Sequence, residues 1–198
     1  TGLDADFCRA VAAATLGDAD KVTFIPLRAA ARFPALRGGQ LDLLVRNTTW
    51  TLLREAALQV QFAGILYYDG QGFMVPARSR VKTPAGLKGA TVCVEKGTTA
   101  VENVAEYSAT LGLGLKPLVF DSADAVANAY FSGKCDAYSS DASQLAAARL
   151  RAPGGTQSMV ILPERISREP LGPAVRAGDD AWLTLVRWVL FALVAAED

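Results

Sequence analysis

Ala90-Thr91-Val92-Cys93-Val94-Glu95-Lys96-Gly97-Thr98-Thr99 is the stretch that decides the fold class. Ala90 to Glu95 is short, apolar and rich in β-branched residues, the composition of a strand buried on both faces. Lys96-Gly97 turns the chain, and Thr98-Thr99 stand where a helix to about Leu111 begins. A strand that feeds a helix through a glycine turn is the repeating unit of an α/β fold. The alternation continues with a strand over 115–120, a helix over 122–131, a strand from Cys135 to Ser139 and a helix from Asp141 to about Leu150. Met159 to Leu162 and 172–176 read as short strands. Asp179 to about Glu197 reads as a helix, with Trp182, Val186, Val189 and Leu193 on its apolar stripe.

Upstream the pattern is the same. Asp4 is placed to cap a helix through Ala14 that stops at Gly17. Lys21 to Pro26 (KVTFIP) reads as a strand, Arg28 to Leu36 as a helix ending at Gly38-Gly39, and Leu41 to Val45 as the next strand. Repeated strand–helix pairs imply parallel sheets covered on both faces. The two runs meet at Tyr67-Tyr68-Asp69-Gly70-Gln71-Gly72, and Glu169-Pro170-Leu171-Gly172-Pro173 punctuates the return. Two Gly/Pro-rich crossings between two α/β lobes suggest a hinge with ligand in the cleft. The expected lobes are residues 1–68 with 170–198, and 72–166, with crossings near 69–71 and 167–169. The chain opens on a helix and closes on one, so N- and C-terminal pieces of the first lobe are expected to be missing.

Composition narrows the function. Twenty Lys and Arg balance twenty Asp and Glu among 198 residues, and no basic run stands out, which argues against nucleic acid as a partner. The absence of histidine removes Ser-His and Cys-His nucleophile pairs and imidazole metal sites; no metal or cofactor is expected. The longest apolar run, Trp188 to Ala196, is far short of the roughly 20 residues that span a bilayer. No basic n-region precedes Thr1-Gly2, so no signal peptide is read in this chain. Cys93 and Cys135 fall on strands of one expected lobe, and a disulfide between them is the expectation, against two buried free thiols. Cys8 is expected to be unpaired.

Four places carry chemistry. Arg46-Asn47-Thr48-Thr49-Trp50-Thr51-Leu52-Leu53-Arg54 follows a strand and gathers hydroxyls, an amide and guanidinium groups where open α/β sheets place ligands. An Arg fork suits bidentate capture of a carboxylate; the plainer reading is a solvated polar loop. Gly97-Thr98-Thr99 at a helix start forms an anion site or an ordinary threonine cap. Without the Lys-Ser/Thr pair of a phosphate loop, it does not indicate a nucleotide. Asp141 is a carboxylate at the cleft or a routine N-cap. Arg32 is a site residue or a surface one. Together, Arg54 and Thr49 from one lobe, with the 97–99 turn and Asp141 from the other, complement the carboxylate and ammonium of an α-amino acid.

The stretches GLDADFCRAVAAA, RNTTWTLLREAAL, YYDGQGFMV, VCVEKGTTA, SGKCDAYSSDAS and ILPERISREPLGPAVRAGDDAW resemble the general L-amino-acid binding proteins of ABC importers. These belong to the polar amino-acid branch of the periplasmic, two-lobe, hinge-bending binding proteins. The resemblance implies that Arg54 clamps the ligand α-carboxylate, with Thr98 and Thr99 completing that site. It implies that Asp141 receives the α-ammonium with help from Thr49 and the main chain at Asn47, and that Arg32 faces the ligand side chain. The expectation is therefore a monomeric periplasmic protein that is not an enzyme. It would bind an L-amino acid, from Glu, Gln, Asp and Asn to a broad polar range, by hinge closure, and deliver it to the membrane subunits of an ABC importer. The alternatives are a ligand-sensing receptor domain of the same fold and a dehydratase-type enzyme on this scaffold.

Overall fold

The computed structural model describes residues 2–197. The chain divides into two compact units, Thr1–Leu27, Ala31–Tyr68 and Pro170–Asp198 in the first, Arg28–Ala30 and Asp69–Glu169 in the second.

The second unit is built on a five-stranded sheet. Its strands are β3 (Gln71–Pro76), β4 (Thr91–Glu95), β5 (Lys116–Phe120), β6 (Ala137–Asp141) and β7 (Met159–Ile161), in the order β5-β4-β6-β3-β7. The sheet is mixed, not parallel throughout as the alternation of elements implied. β4 is parallel to β5 and β6, while β3 is antiparallel to both β6 and β7. The exception is Gln71–Pro76: it enters this sheet directly from the first crossing and not through a helix of the second unit, and it lies in the sheet interior with Gln71 to Val75 buried.

Period-2 alternation sends Phe73, Val75, Val92 and Val94 to one core and Met74, Cys93 and Tyr138 to the other. Helix α4 (Ala100–Leu111) packs Ala100 and Val104 into the first core and ends on Gly112 in the left-handed region. Helix α5 (Ala123–Phe131) brings Val126 and Tyr130, and α6 (Ala142–Arg149) brings Leu145, to the second. Ser122 caps α5 by accepting the amide of Ala125 at 3.2 Å. Cys93 and Cys135 form a disulfide, with Cα atoms 5.7 Å apart, between β4 and the residue two before β6. Cys8 is a free thiol, and burial together with the Asp4 charge pushes its pKa up to about 11.

The first unit is mainly helical. Helix α1 (Leu3–Leu16) buries Phe7 and Val11, and α7 (Asp180–Ala195) buries Leu183, Val186 and Leu190 in the same core. The buried stripe of α7 is therefore offset from the expected one: Trp182 and Val189 are half-buried and Leu193 is exposed. Helix α2 (Arg32–Arg37), preceded by a 3-10 turn at Ala29–Ala31, replaces the single helix expected over 28–36, because Pro34 falls in the first turn of α2 and lacks the donor to extend a longer one. A short helix, α3 (Leu52–Leu58), and the strand β1 (Val60–Phe62) were not anticipated; β1 pairs antiparallel with β9 (Ala174–Arg176). Two further strands, β2 (Tyr67–Asp69) and β8 (Glu169–Leu171), pair with each other and contain the two chain crossings.

Neither strand expected upstream forms. Lys21 to Pro26 belongs to no strand, and its Phe24 and Ile25 side chains are exposed. The apolar pattern is that of a strand, but no neighbour among the described residues hydrogen-bonds to it as a ladder. A groove of about 390 Å³ runs beside it, lined also by Leu43 and Val45. Leu41 to Val45 is reduced to one antiparallel bridge, Leu44 to Ala174, with both N–H···O distances 2.9 Å. Asp4 does not cap α1: Gly2 holds the N-cap position, and Asp4 lies in the first turn. Among the described residues, no helix is long and apolar enough to cross a membrane.

Candidate functional site

In the first unit the loop before α3 is held from several sides. Asn47 adopts φ 40°, and its amide donates to the Asp4 carboxylate at 2.9 Å. The Arg46 carbonyl accepts from the Thr48 hydroxyl at 2.8 Å and from Arg32 Nη1 at 3.1 Å. Thr49 is buried and forms an antiparallel bridge to Leu171. The stretch is thus a fixed loop that leads into a helix, not a solvated one.

Arg54 was expected just after a strand. It lies instead in the first turn of α3, which Thr51 caps by accepting the Arg54 amide at 3.2 Å. The signal for this helix start is Thr51, a favoured N-cap residue, followed by Glu55 in the first turn. Arg54 is 7% exposed, and its Nη1 donates to the Thr49 carbonyl at 2.6 Å. Its guanidinium carbon lies 5.2 Å from the centre of the Phe33 ring, and that of Arg32 lies 5.3 Å from the same ring. A ring quadrupole beside two guanidinium groups offsets part of the cost of burying like charges near each other. Arg32 is not a surface residue: at 2% exposed it opens α2.

In the second unit, the turn after β4 is shaped by Gly97 at φ 76°. A Cβ there would lie 2.6 Å from the Ala30 Cα and 2.8 Å from its nitrogen, so only glycine lets the two backbones meet. The Thr98 hydroxyl donates to the Glu95 carbonyl at 2.7 Å and the Thr99 hydroxyl to Glu169 Oε2 at 3.1 Å. With both hydroxyl protons directed inward, the donors this turn can present to an anion are main-chain amides at the start of α4.

Asp141 ends β6, opposite Gln71 of β3, and is 9% exposed. It occupies the N-cap position of α6 but makes no side-chain cap bond. That task falls to Asp69, whose carboxylate accepts the amides of Ala142 at 3.2 Å and Ser143 at 3.1 Å. The routine-cap reading of Asp141 is therefore excluded. Nearby, burial pushes the Tyr138 phenol up to about 12, with the Glu95 carboxylate adding to the shift. Among the described residues, no group of three or more Cys, Asp or Glu is gathered to hold a metal ion.

Five polar residues here were missed from sequence: Asp69, Gln71, Glu95, Asn103 and Glu169. Gln71, Glu95 and Glu169 are buried, at 0%, 5% and 2% exposed. The available signal for two of them was an acidic residue immediately before the Gly or Pro of each crossing, in Asp69-Gly70 and Glu169-Pro170.

Two compact units joined by two crossings, one built on a mixed five-stranded sheet, with buried cationic and anionic side chains at helix starts, match a class: the hinged binding proteins. The chain belongs to the bacterial extracellular solute-binding proteins, family 3, whose family model matches residues 1–197. It is 48% identical over 197 residues to the general L-amino acid-binding periplasmic protein AapJ of Rhizobium johnstonii. It is 46% identical over 198 residues to the glutamate/glutamine/aspartate/asparagine-binding protein BztA of Rhodobacter capsulatus. Each match takes in 100% of this chain and 58% of the relative, so the chain spans less than two thirds of the length of these relatives. Among solved structures, an ABC transporter periplasmic binding protein from Brucella ovis with glutathione bound is similar at a TM-score of 0.96 and 47% identity, over 100% of this chain and 62% of that one.

Proposed function

We propose that the protein captures a polar L-amino acid on the outer side of the cytoplasmic membrane and passes it, chemically unchanged, to an ABC importer. The observation that carries this reading is the pair of buried opposite charges, Arg54 in one unit and Asp141 in the other, each at the start of a helix and neither spent on capping it. Arg54 holds the α-carboxylate, assisted by main-chain amides of the Thr98-Thr99 turn. Asp141 receives the α-ammonium, with Thr49 and the Asn47 main chain beside it, and Arg32 meets the side-chain end. Binding one ligand by both units favours the closed arrangement of the crossings. The names of AapJ and BztA, and the glutathione in the Brucella structure, support a ligand with an α-amino-acid head. Glutathione carries that head on its γ-glutamyl residue, with a carbonyl where glutamine has one. Membership of a solute-binding family supports capture without catalysis and a periplasmic location.

A thermal-shift screen of the twenty L-amino acids tests this. A ligand at one hundred times its dissociation constant adds roughly 2.7 kcal/mol, which for a domain of this size is a shift of about 5 to 11 °C. Glu, Gln, Asp and Asn should shift the midpoint most, and mass spectrometry should recover them unaltered. A flat response to all twenty refutes the assignment.

A further inference from the structure

We propose that Glu169 and Asp69, the carboxylates at the two chain crossings, are positioning residues for the amino-acid site: each ties its crossing to the start of one helix that borders a site residue. The inference rests on the binding function proposed above and deepens it.

Asp69 and Glu169 are the second unit's residues at the two junctions, next to Tyr68 and Pro170 of the first. Asp69 takes the Ala142 and Ser143 amides, the two residues after Asp141. Its Oδ1 also accepts the Gly70 amide at 2.7 Å, so the carboxylate fixes the crossing and the helix start together.

Glu169 does the equivalent for α4. Its Oε2 accepts the Thr99 hydroxyl at 3.1 Å, and its Oε1 accepts Asn103 Nδ2 at 2.7 Å and the Ser167 hydroxyl. Asn103 Nδ2 spends its second proton on Gln71 Oε1 at 2.8 Å. Gln71 Nε2 in turn donates to the Ala100 carbonyl at 3.2 Å and to Ser139 Oγ at 2.8 Å. Ser139 passes its proton to the Gly72 carbonyl at 2.9 Å, and the Gln71 carbonyl accepts the Ile166 amide at 2.9 Å. One chain of buried and part-buried hydrogen bonds therefore joins the segment after the first crossing, the segment before the second, and the first turn of α4. Because the hydrogen bonds of such a network are coupled, a shift at either crossing is felt at Thr99. The carboxylate of Glu169 also sets the direction of the Thr99 proton, leaving main-chain amides to face an anion.

The sign of the effect separates positioning from simple charge. If Glu169 acted on the ligand only through its negative charge, Glu169→Gln would tighten binding of anionic L-glutamate. Positioning requires the opposite, because a glutamine amide in place of Oε2 is a donor and must reverse or break the Thr99 contact. The test is calorimetry with L-glutamate and L-glutamine on the wild type, Glu169→Gln, Thr99→Val, the double variant and Asp69→Asn, with ligand-free melting recorded for each. We expect Glu169→Gln to raise Kd about tenfold or more for both ligands, and the double variant to be no weaker than the weaker single one, since both changes cut the same link. Asp69→Asn should weaken binding of both ligands and speed amide exchange at Ala142 and Ser143 in the ligand-free protein. Unchanged or tighter binding by Glu169→Gln, or additive losses in the double variant, overturns the proposal while leaving the binding function in place. A wild type that binds neither ligand overturns both.

Discussion

Gly97→Ala is the perturbation whose cost the structure sets most directly. The added Cβ meets backbone, not a flexible side-chain end: the Ala30 Cα at 2.6 Å, the Ala30 nitrogen at 2.8 Å and the Ala30 Cβ at 3.0 Å. Placing a non-glycine residue at φ 76° costs about 1 to 2 kcal/mol, and overpacking typically adds about 1 to 3. The sum, about 2 to 5 kcal/mol, converts to a fall of about 4 to 20 °C in the melting midpoint for a chain of this size. The control is Gly112→Ala at the end of α4, with φ 61° and nothing within 4 Å of the new Cβ. It pays only the conformational part, so the difference between the variants isolates the Ala30 contact. Calorimetric melting of both, ligand-free and with saturating L-glutamine, reads stability and binding separately. If Gly97→Ala melts no lower than Gly112→Ala, the close approach at Ala30 does not shape the turn before Thr98.

Three further outcomes follow from the same structure. Arg54→Lys keeps the charge but loses the planar fork that meets a carboxylate through two parallel N–H···O bonds while a further N–H holds the Thr49 carbonyl; Kd for L-glutamate should rise about tenfold or more by calorimetry, and unchanged affinity refutes the clamp. Cys8, with its pKa raised to about 11 from 9.0, is protonated in the folded state over a range where the unfolded thiol ionises; its contribution to stability is lost as pH rises above about 9. Iodoacetamide should label it at least about tenfold more slowly at pH 8 in buffer than in denaturant, and equal rates contradict the shift. Reducing the Cys93–Cys135 disulfide, across a sequence separation of 42, removes about 4 kcal/mol in the chain-entropy estimate, so the midpoint should drop by about 8 to 16 °C; a midpoint unmoved by reductant refutes that role.

What the sequence made legible was local and periodic. Ala90 to Glu95, 115–120 and the helices after them carry their pattern in neighbouring residues, and they form within a residue or two of the expected bounds. The expectation failed where a strand depends on its partner. Lys21 to Pro26 has strand composition and no ladder, while Gln71–Pro76, with Gly72 and Pro76 in it, becomes an interior strand because β6 and β7 accept it from both sides. The polar residues of the site region were visible as types, but their roles were not. The sequence leaves Asp141 open between a cleft carboxylate and a cap because it precedes a helix, and only the path of the first crossing shows Asp69 in the capping role. For Arg54 a solvated loop stayed open beside a carboxylate clamp, because the packing of Phe33 against its guanidinium joins residues 21 positions apart.

Calorimetry that pairs L-glutamate with glutarate, the same molecule without its α-amino group, tests the central claim most directly. The wild type should bind glutarate at least about tenfold more weakly, the loss of one charge-assisted contact. Asp141→Asn should bind L-glutamate at least about tenfold more weakly than the wild type, and lose little more on passing to glutarate, because the contact is already gone. If Asp141→Asn binds L-glutamate like the wild type, or if the two losses add in full, Asp141 does not receive the ammonium group and the account of the site is wrong.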